Sequence, residues 1–182
     1  MRSFAVLTAL ALLAGCTSPL TAFETTLASQ DSATAALTQW CAARAIASPA
    51  LIRAAPNGGE PLVATPAIRA LLGVSAQEPL AFRHVRLSCG EATLSVARNW
   101  YVPARLTPEM NHQLATSDTP FGTIVAPLGF RRERLAAQSG PAADCPPGTV
   151  LSHTALLRLP DGPIEGAAIS LVVECYTAAN LP

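Results

Sequence analysis

The sequence predicts an α+β fold in which an antiparallel β-sheet carries helices packed on one face. Three observations support this. Apolar residues recur at helical spacing in the first third of the chain. From residue 80 onward the period falls to two, in two pairs of strand-like segments joined by short turns. Helical segments lie between these hairpins and do not alternate with single strands, which argues against a parallel βαβ sheet.

The elements follow in order. Residues 17–30 are rich in Ser, Thr and Ala and read as a tether. Residues 31–47 read as a helix that Asp31 or Ser32 can cap, with Leu37, Trp40, Cys41 and Ala45 as its buried stripe. Pro49 follows its end, and Pro56-Asn57-Gly58-Gly59 marks a turn within residues 54–61. Residues 66–73 read as a short helix opened by Thr65 and Pro66 and closed by Gly73. Phe82–Cys89 and Thr93–Val102 read as a hairpin turning at Gly90-Glu91, with Trp100 and Tyr101 packed on the sheet. Leu106–Leu114 reads as a helix with Thr107 as N-cap and Pro108 at its first position. Thr119-Pro120-Phe121-Gly122 breaks it. Arg131, Arg132 and Arg134 read as solvated surface, and residues 139–148 as a loop. Val150–Leu159 and Ala167–Tyr176 form the second hairpin around Pro160-Asp161-Gly162-Pro163.

The N-terminus carries a different signal. One positive charge at Arg2 precedes an apolar run of ten residues, Phe4–Leu13, too short to span a bilayer. The run ends in Leu13-Ala14-Gly15-Cys16, which resembles the lipobox of bacterial lipoproteins. That resemblance implies a signal peptide at residues 1–15, a lipidated tether at residues 16–30 and a single domain at residues 31–182. Cys16 would carry the diacylglyceryl group on its thiol, with palmitate among its lipid chains, and anchor the chain in the membrane. Thr17 follows where an Asp would signal inner-membrane retention. The expected address is therefore the cell envelope, facing the periplasm, with the outer membrane favoured over the inner.

Composition narrows the function. Net charge is zero and 13% of residues are charged, so no basic excess exists for binding nucleic acid. All 12 basic residues are Arg, which rules out lysine chemistry. Cys41, Cys89, Cys145 and Cys175 suit two disulfides in an exported chain. Three pairings are open, and strand alternation argues mildly against Cys89–Cys175. No spacing suits a zinc site, and His84, His112 and His153 are scattered, so no metal is expected.

From Arg83 onward the chain resembles chorismate lyase and, more distantly, the ligand-sensing UTRA domains of bacterial regulators. Three blocks carry this. The first runs from Arg83-His84-Val85-Arg86-Leu87-Ser88-Cys89 to Ala97-Arg98-Asn99-Trp100-Tyr101-Val102-Pro103. The second is Leu106-Thr107 with Thr119-Pro120-Phe121-Gly122, where lyases carry Pro-Leu-Gly. The third is Leu171-Val172-Val173-Glu174-Cys175-Tyr176, where lyases carry an acid in an apolar strand. Residues 17–65 have no clear counterpart.

The resemblance implies an antiparallel sheet with helices on one side. It also implies conversion of chorismate to 4-hydroxybenzoate and pyruvate without metal or cofactor. In that reading Arg83 and Arg98 hold carboxylates through planar guanidinium forks. Glu174, with Arg83, makes up the catalytic pair and moves the proton. Phe121 and Gly122 supply backbone N–H groups from a tight turn, and Phe121 narrows the pocket where lyases have Leu. Arg83 has two competitors: Arg86, on the opposite face of a regular strand, and His84, which a gapless alignment back from Pro103 places at the same position. Glu174 is the most informative ionisable residue even without the family, because a carboxylate in an apolar strand needs a partner or a cleft.

Two functions remain open. One is a membrane-tethered lyase. The other is a non-catalytic lipoprotein that binds a small aromatic carboxylate or serves a structural role. The expected address favours the second, because chorismate is a cytoplasmic metabolite.

Overall fold

Both hairpins read from the alternating segments form, and two further strands extend the sheet at its edges. The computed structural model describes residues 17–160 and 166–181. Cys16 and the turn residues 161–163 lie outside them. The strands are β1 (Ile52–Pro56), β2 (Ala81–Cys89), β3 (Ala92–Tyr101), β4 (Arg131–Ser139), β5 (Thr149–Arg158) and β6 (Ala168–Thr177). They make one antiparallel sheet in the order β1-β2-β3-β6-β5-β4. The fold class is the α+β arrangement expected.

The helices are α1 (Pro19–Ala28), α2 (Ala33–Ala43), α3 (Pro66–Leu72), α4 (Pro108–Thr116) and α5 (Phe121–Ile124). The caps follow the sequence: Ser32 caps α2, Thr65 caps α3 and Thr107 caps α4, each accepting a backbone N–H three residues on. Gly73 closes α3 at φ +62°, a left-handed conformation in which a side chain would be strained.

The main helical layer covers the face that carries Arg83, Ala97, Glu174 and Tyr176. Phe23 of α1 packs on Trp40 of α2 and on Tyr176 of β6, with both ring centroids 5.2 Å away. Leu37, Leu87, Leu94 and Leu151 complete this core. The seven-residue α3 packs Leu72 on the opposite face, against Trp100 and Leu171.

Three segments differ from the sequence reading. Residues 19–28, read as tether, form α1, whose Phe23 and Leu27 are buried one helical turn apart. Ser18 caps it and Pro19 opens it. Residues 52–56, read partly as turn, form edge strand β1. The Arg-rich segment forms edge strand β4, which explains its polar surface without making all of it solvated.

The four cysteines pair as Cys41–Cys89, joining α2 to β2, and Cys145–Cys175, joining the 141–148 loop to β6. Cys89 lies on the face of Arg83 and Cys175 on the opposite one, in line with the mild argument from alternation against their union. The bridges close segments of 48 and 30 residues, for which chain entropy gives about 4 kcal/mol each. Peptide mapping without reductant is expected to recover these two linkages. Cys41→Ala/Cys89→Ala is expected to lower the calorimetric Tm by about 10 °C.

Candidate functional site

Between the sheet and the start of α2 lies a cavity of about 50 Å³, lined mainly by apolar atoms. Its floor comes from alternate residues of β2, β3 and β6: Arg83 and Val85, Ala97 and Asn99, Val172 and Glu174. Its roof is Ser32, Ala33 and Thr34 at the N-terminus of α2, together with Phe121 and Gly122. A Cβ on Gly122 would lie 2.6 Å from Ser32 Oγ, so glycine is needed for this close approach.

Four of the five residues expected in a site converge here: Arg83, Phe121, Gly122 and Glu174. Arg83 reaches from β2 and donates to the Thr119 carbonyl at 3.4 Å. No acidic side chain pairs with it among the described residues. Burial pulls its guanidinium below the usual value and nearby Tyr101 opposes that, yet arginine stays charged. The competitors Arg86 and His84 do not line the cavity; His84 bonds Asn57 and Gly58 on the far face.

Arg98 is not part of the site, which corrects the ligand-binding role read from its spacing. A regular hairpin turning at Gly90-Glu91 would have paired it with Arg83. The register instead shifts between Leu87 and Ser88, where Ser88 faces Thr93 but Leu87 faces Ser95. This bulge at Leu94 moves every later residue of β3 by one. Asn99 therefore stands opposite Arg83, and Arg98 stands opposite His84 on the other face. There it lines a separate groove beside Cys175.

Glu174 is buried, as its apolar strand implied, and its partner is a residue read as surface. Arg132 of β4 reaches across β5 and forms an ion pair with Glu174, the two side chains being 9% and 7% exposed. Its second terminal nitrogen donates to Oε1 at 3.4 Å. The Tyr176 hydroxyl donates to Oε2 at 2.9 Å. Both carboxylate oxygens are thus engaged. Burial opposes the charge on Arg132, but Glu174 together with Tyr176 and Asp31 more than offsets it and the guanidinium is held above its usual value. Burial and the same carboxylate keep the Tyr176 phenol protonated, well above its usual range. His153 faces Glu174 across β5 and β6, and burial pushes it down to about 4 with help from Arg132 and Arg134, against Glu174.

Two lining residues had no signal of their own in the sequence reading. Arg132 was indicated only indirectly, since a buried carboxylate demands a cation. Asn99 was hidden by the bulge. It is 5% exposed; the Ser170 hydroxyl donates to its Oδ1, and its Nδ2 is buried without a partner. Among the described residues no cluster of three His, Cys, Asp or Glu side chains could hold a metal.

The architecture is an α+β domain: a six-stranded antiparallel sheet with helices packed on it and a small recess between the sheet and the start of α2. Solved structures share it. The effector domain of PhnF from Mycobacterium smegmatis superposes with a TM-score of 0.57 over 81% of this chain and 89% of its own, at 13% identity. The possible transcriptional regulator YydK from Bacillus subtilis does so at 0.51 over 72% of this chain and 59% of its own, at 14% identity. These are UTRA-type domains of the chorismate lyase-like superfamily, and at such identities the likeness is one of fold. No family model matches the sequence. A protein of Sinorhizobium fredii named "Uncharacterized protein y4mC" is 42% identical over 172 residues, spanning 83% of this chain and 70% of that protein. The chain belongs to the same family as that protein.

Breaking the buried pair has a defined cost. Arg132→Met leaves Glu174 without its cation and is expected to lower unfolding stability by about 3–5 kcal/mol in urea titrations. Arg132→Met/Glu174→Gln removes both charges and is expected to recover most of that loss. A single-variant loss below about 1 kcal/mol would show the pair to be solvated.

Proposed function

We propose that this chain is an exported, lipid-anchored binding protein whose pocket takes a small carboxylate ligand on Arg83. The observation that carries this is the half-buried Arg83 guanidinium, without an acidic partner among the described residues, in a recess lined mainly by apolar atoms. A planar fork in low dielectric is suited to a carboxylate, and the positive end of α2 lies across the cavity. The fold neighbour whose name includes an effector domain supports a binding role.

Three features favour binding over elimination. Chorismate brings two carboxylates, and one unpaired guanidinium lines the cavity. Glu174 would have to move a proton, and both its oxygens are engaged by Arg132 and Tyr176. A cavity of about 50 Å³ is also well below the ~150 Å³ that admits benzene in an engineered core.

The address rests on Leu13-Ala14-Gly15-Cys16, and two disulfides suit an oxidising compartment. Because Ser18 caps α1, the domain would begin two residues after Cys16 and lie close against the membrane with no long tether.

Calorimetric titration with small carboxylates at neutral pH is expected to show saturable binding that Arg83→Met removes. Chorismate is expected to yield no 4-hydroxybenzoate. Product that depends on Glu174 would establish the lyase instead. In cells, palmitate labelling and membrane fractionation are expected to be lost in Cys16→Ser.

A further inference from the structure

We propose that a groove at the β4 edge of the sheet, apart from the central cavity, binds a small oxyanion, a sulfate or phosphate group, between Arg134 and His153. The groove does not include Arg83 and is independent of the carboxylate site there.

The groove measures about 290 Å³ and lies between the α1–α2 connection and the two strands at this edge. Ser29, Gln30 and Asp31 line it from the connection, and Arg132, Arg134 and His153 from the strands. Strand pairing puts the second set on one face. Arg132 stands opposite Leu157 and Arg134 opposite Ala155, and His153 lies two residues further along β5. His153 in turn stands opposite Glu174, on the face that the main helical layer covers.

Two donors in the groove are left without an acceptor. Arg134 meets no acidic side chain among the described residues. The other charges are matched. Arg132 pairs with Glu174, and the Asp31 carboxylate takes up Arg131 and the Arg132 backbone N–H. One positive charge is therefore left over at the groove. His153 is 3% exposed. Among the described residues, the sealed side-chain polar atoms without a partner belong to Trp40, Ser95, Asn99 and Asn180. The His153 ring makes no hydrogen bond among the described residues either, yet its nitrogens are not sealed, so a polar edge opens to the groove the ring lines. An imidazole N–H and a guanidinium fork are the donors that hold an oxyanion.

The ring also couples binding to protons. Burial, against the pull of Glu174 and with help from Arg132 and Arg134, pushes His153 down to about 4. The Tyr176 phenol, edge-on to the ring at 5.5 Å, stays protonated and adds no charge. An anion against the ring stabilises the imidazolium and raises the histidine value in the complex. The complex then holds a proton that the free protein lacks, so binding tightens as pH falls. A rise to about 6 corresponds to roughly tenfold tighter binding at about pH 5 than at about pH 8.

Sulfate is the probe, because it keeps two charges across this range. It is titrated by calorimetry into the full chain in detergent, at about pH 5 and about pH 8 and at constant ionic strength. Saturable binding is expected, roughly tenfold tighter at the lower pH and lost in Arg134→Gln at both. Arg134 is exposed, so that variant is expected to fold, which thermal unfolding checks. His153→Gln is expected to remove the pH dependence; if it does not fold, the wild type and Arg134→Gln decide. The chain has 3 histidines, so the ring resonance of His153 is assigned by its loss in His153→Gln or from the wild-type spectrum, and sulfate is expected to shift it. No saturable binding, equal affinity at the two pH values, or an unmoved His153 resonance would each overturn the proposal. Binding lost in Arg83→Met and kept in Arg134→Gln would place the ion in the central cavity and overturn it equally.

Discussion

Glu174 sits in the middle of a sheet, among residues that are nearly all apolar, and a bare carboxylate there would be untenable. The cation that compensates it comes from two strands away. Arg132 can reach it only because β4 pairs on β5 with Arg132 opposite Leu157, on the cavity face. Asp31, between α1 and α2, accepts the Arg132 backbone N–H at 3.1 Å and pairs with Arg131. The ion pair therefore joins β4 to β6, and Asp31 ties this sheet edge to the helical layer. Tyr176 adds the third side, its ring packed on Phe23 and its hydroxyl on Glu174. Cavity wall, edge strand and helix packing all meet at this one compensated charge.

Much of the fold was legible in the sequence. Period-two alternation located the two hairpins, and caps with Pro at the first position located α3 and α4, because these are local preferences of the backbone. The missed elements lack such signals. β1 and β4 are edge strands, and β4 is polar on most positions, so no alternation marks it. α1 was hidden in a Ser/Thr/Ala-rich stretch, although Phe23 and Leu27 are spaced as a buried helical pair.

The site was legible in part for related reasons. Arg83, Phe121, Gly122 and Glu174 were found through motif order, and the cavity brings them together. Arg98 was misplaced because a single bulged residue reverses every side chain beyond it, and spacing along the chain carries no mark of a bulge. Arg132 was missed because a charged run on its own looks solvated. The buried acid was the clue to its partner, and only the strand order says which arginine can reach it.

The same pair bears on the kind of chemistry this fold can support here. A carboxylate that is to move a proton must present an oxygen to the reacting molecule. Both oxygens of Glu174 are already engaged, by Arg132 at each and by Tyr176 at Oε2. What the cavity does present is the Arg83 guanidinium, which donates to the Thr119 carbonyl and meets no acidic side chain among the described residues. The acid of this cavity is thus held in the structural network of the sheet, while its arginine on β2 carries a charge that no side chain among the described residues balances.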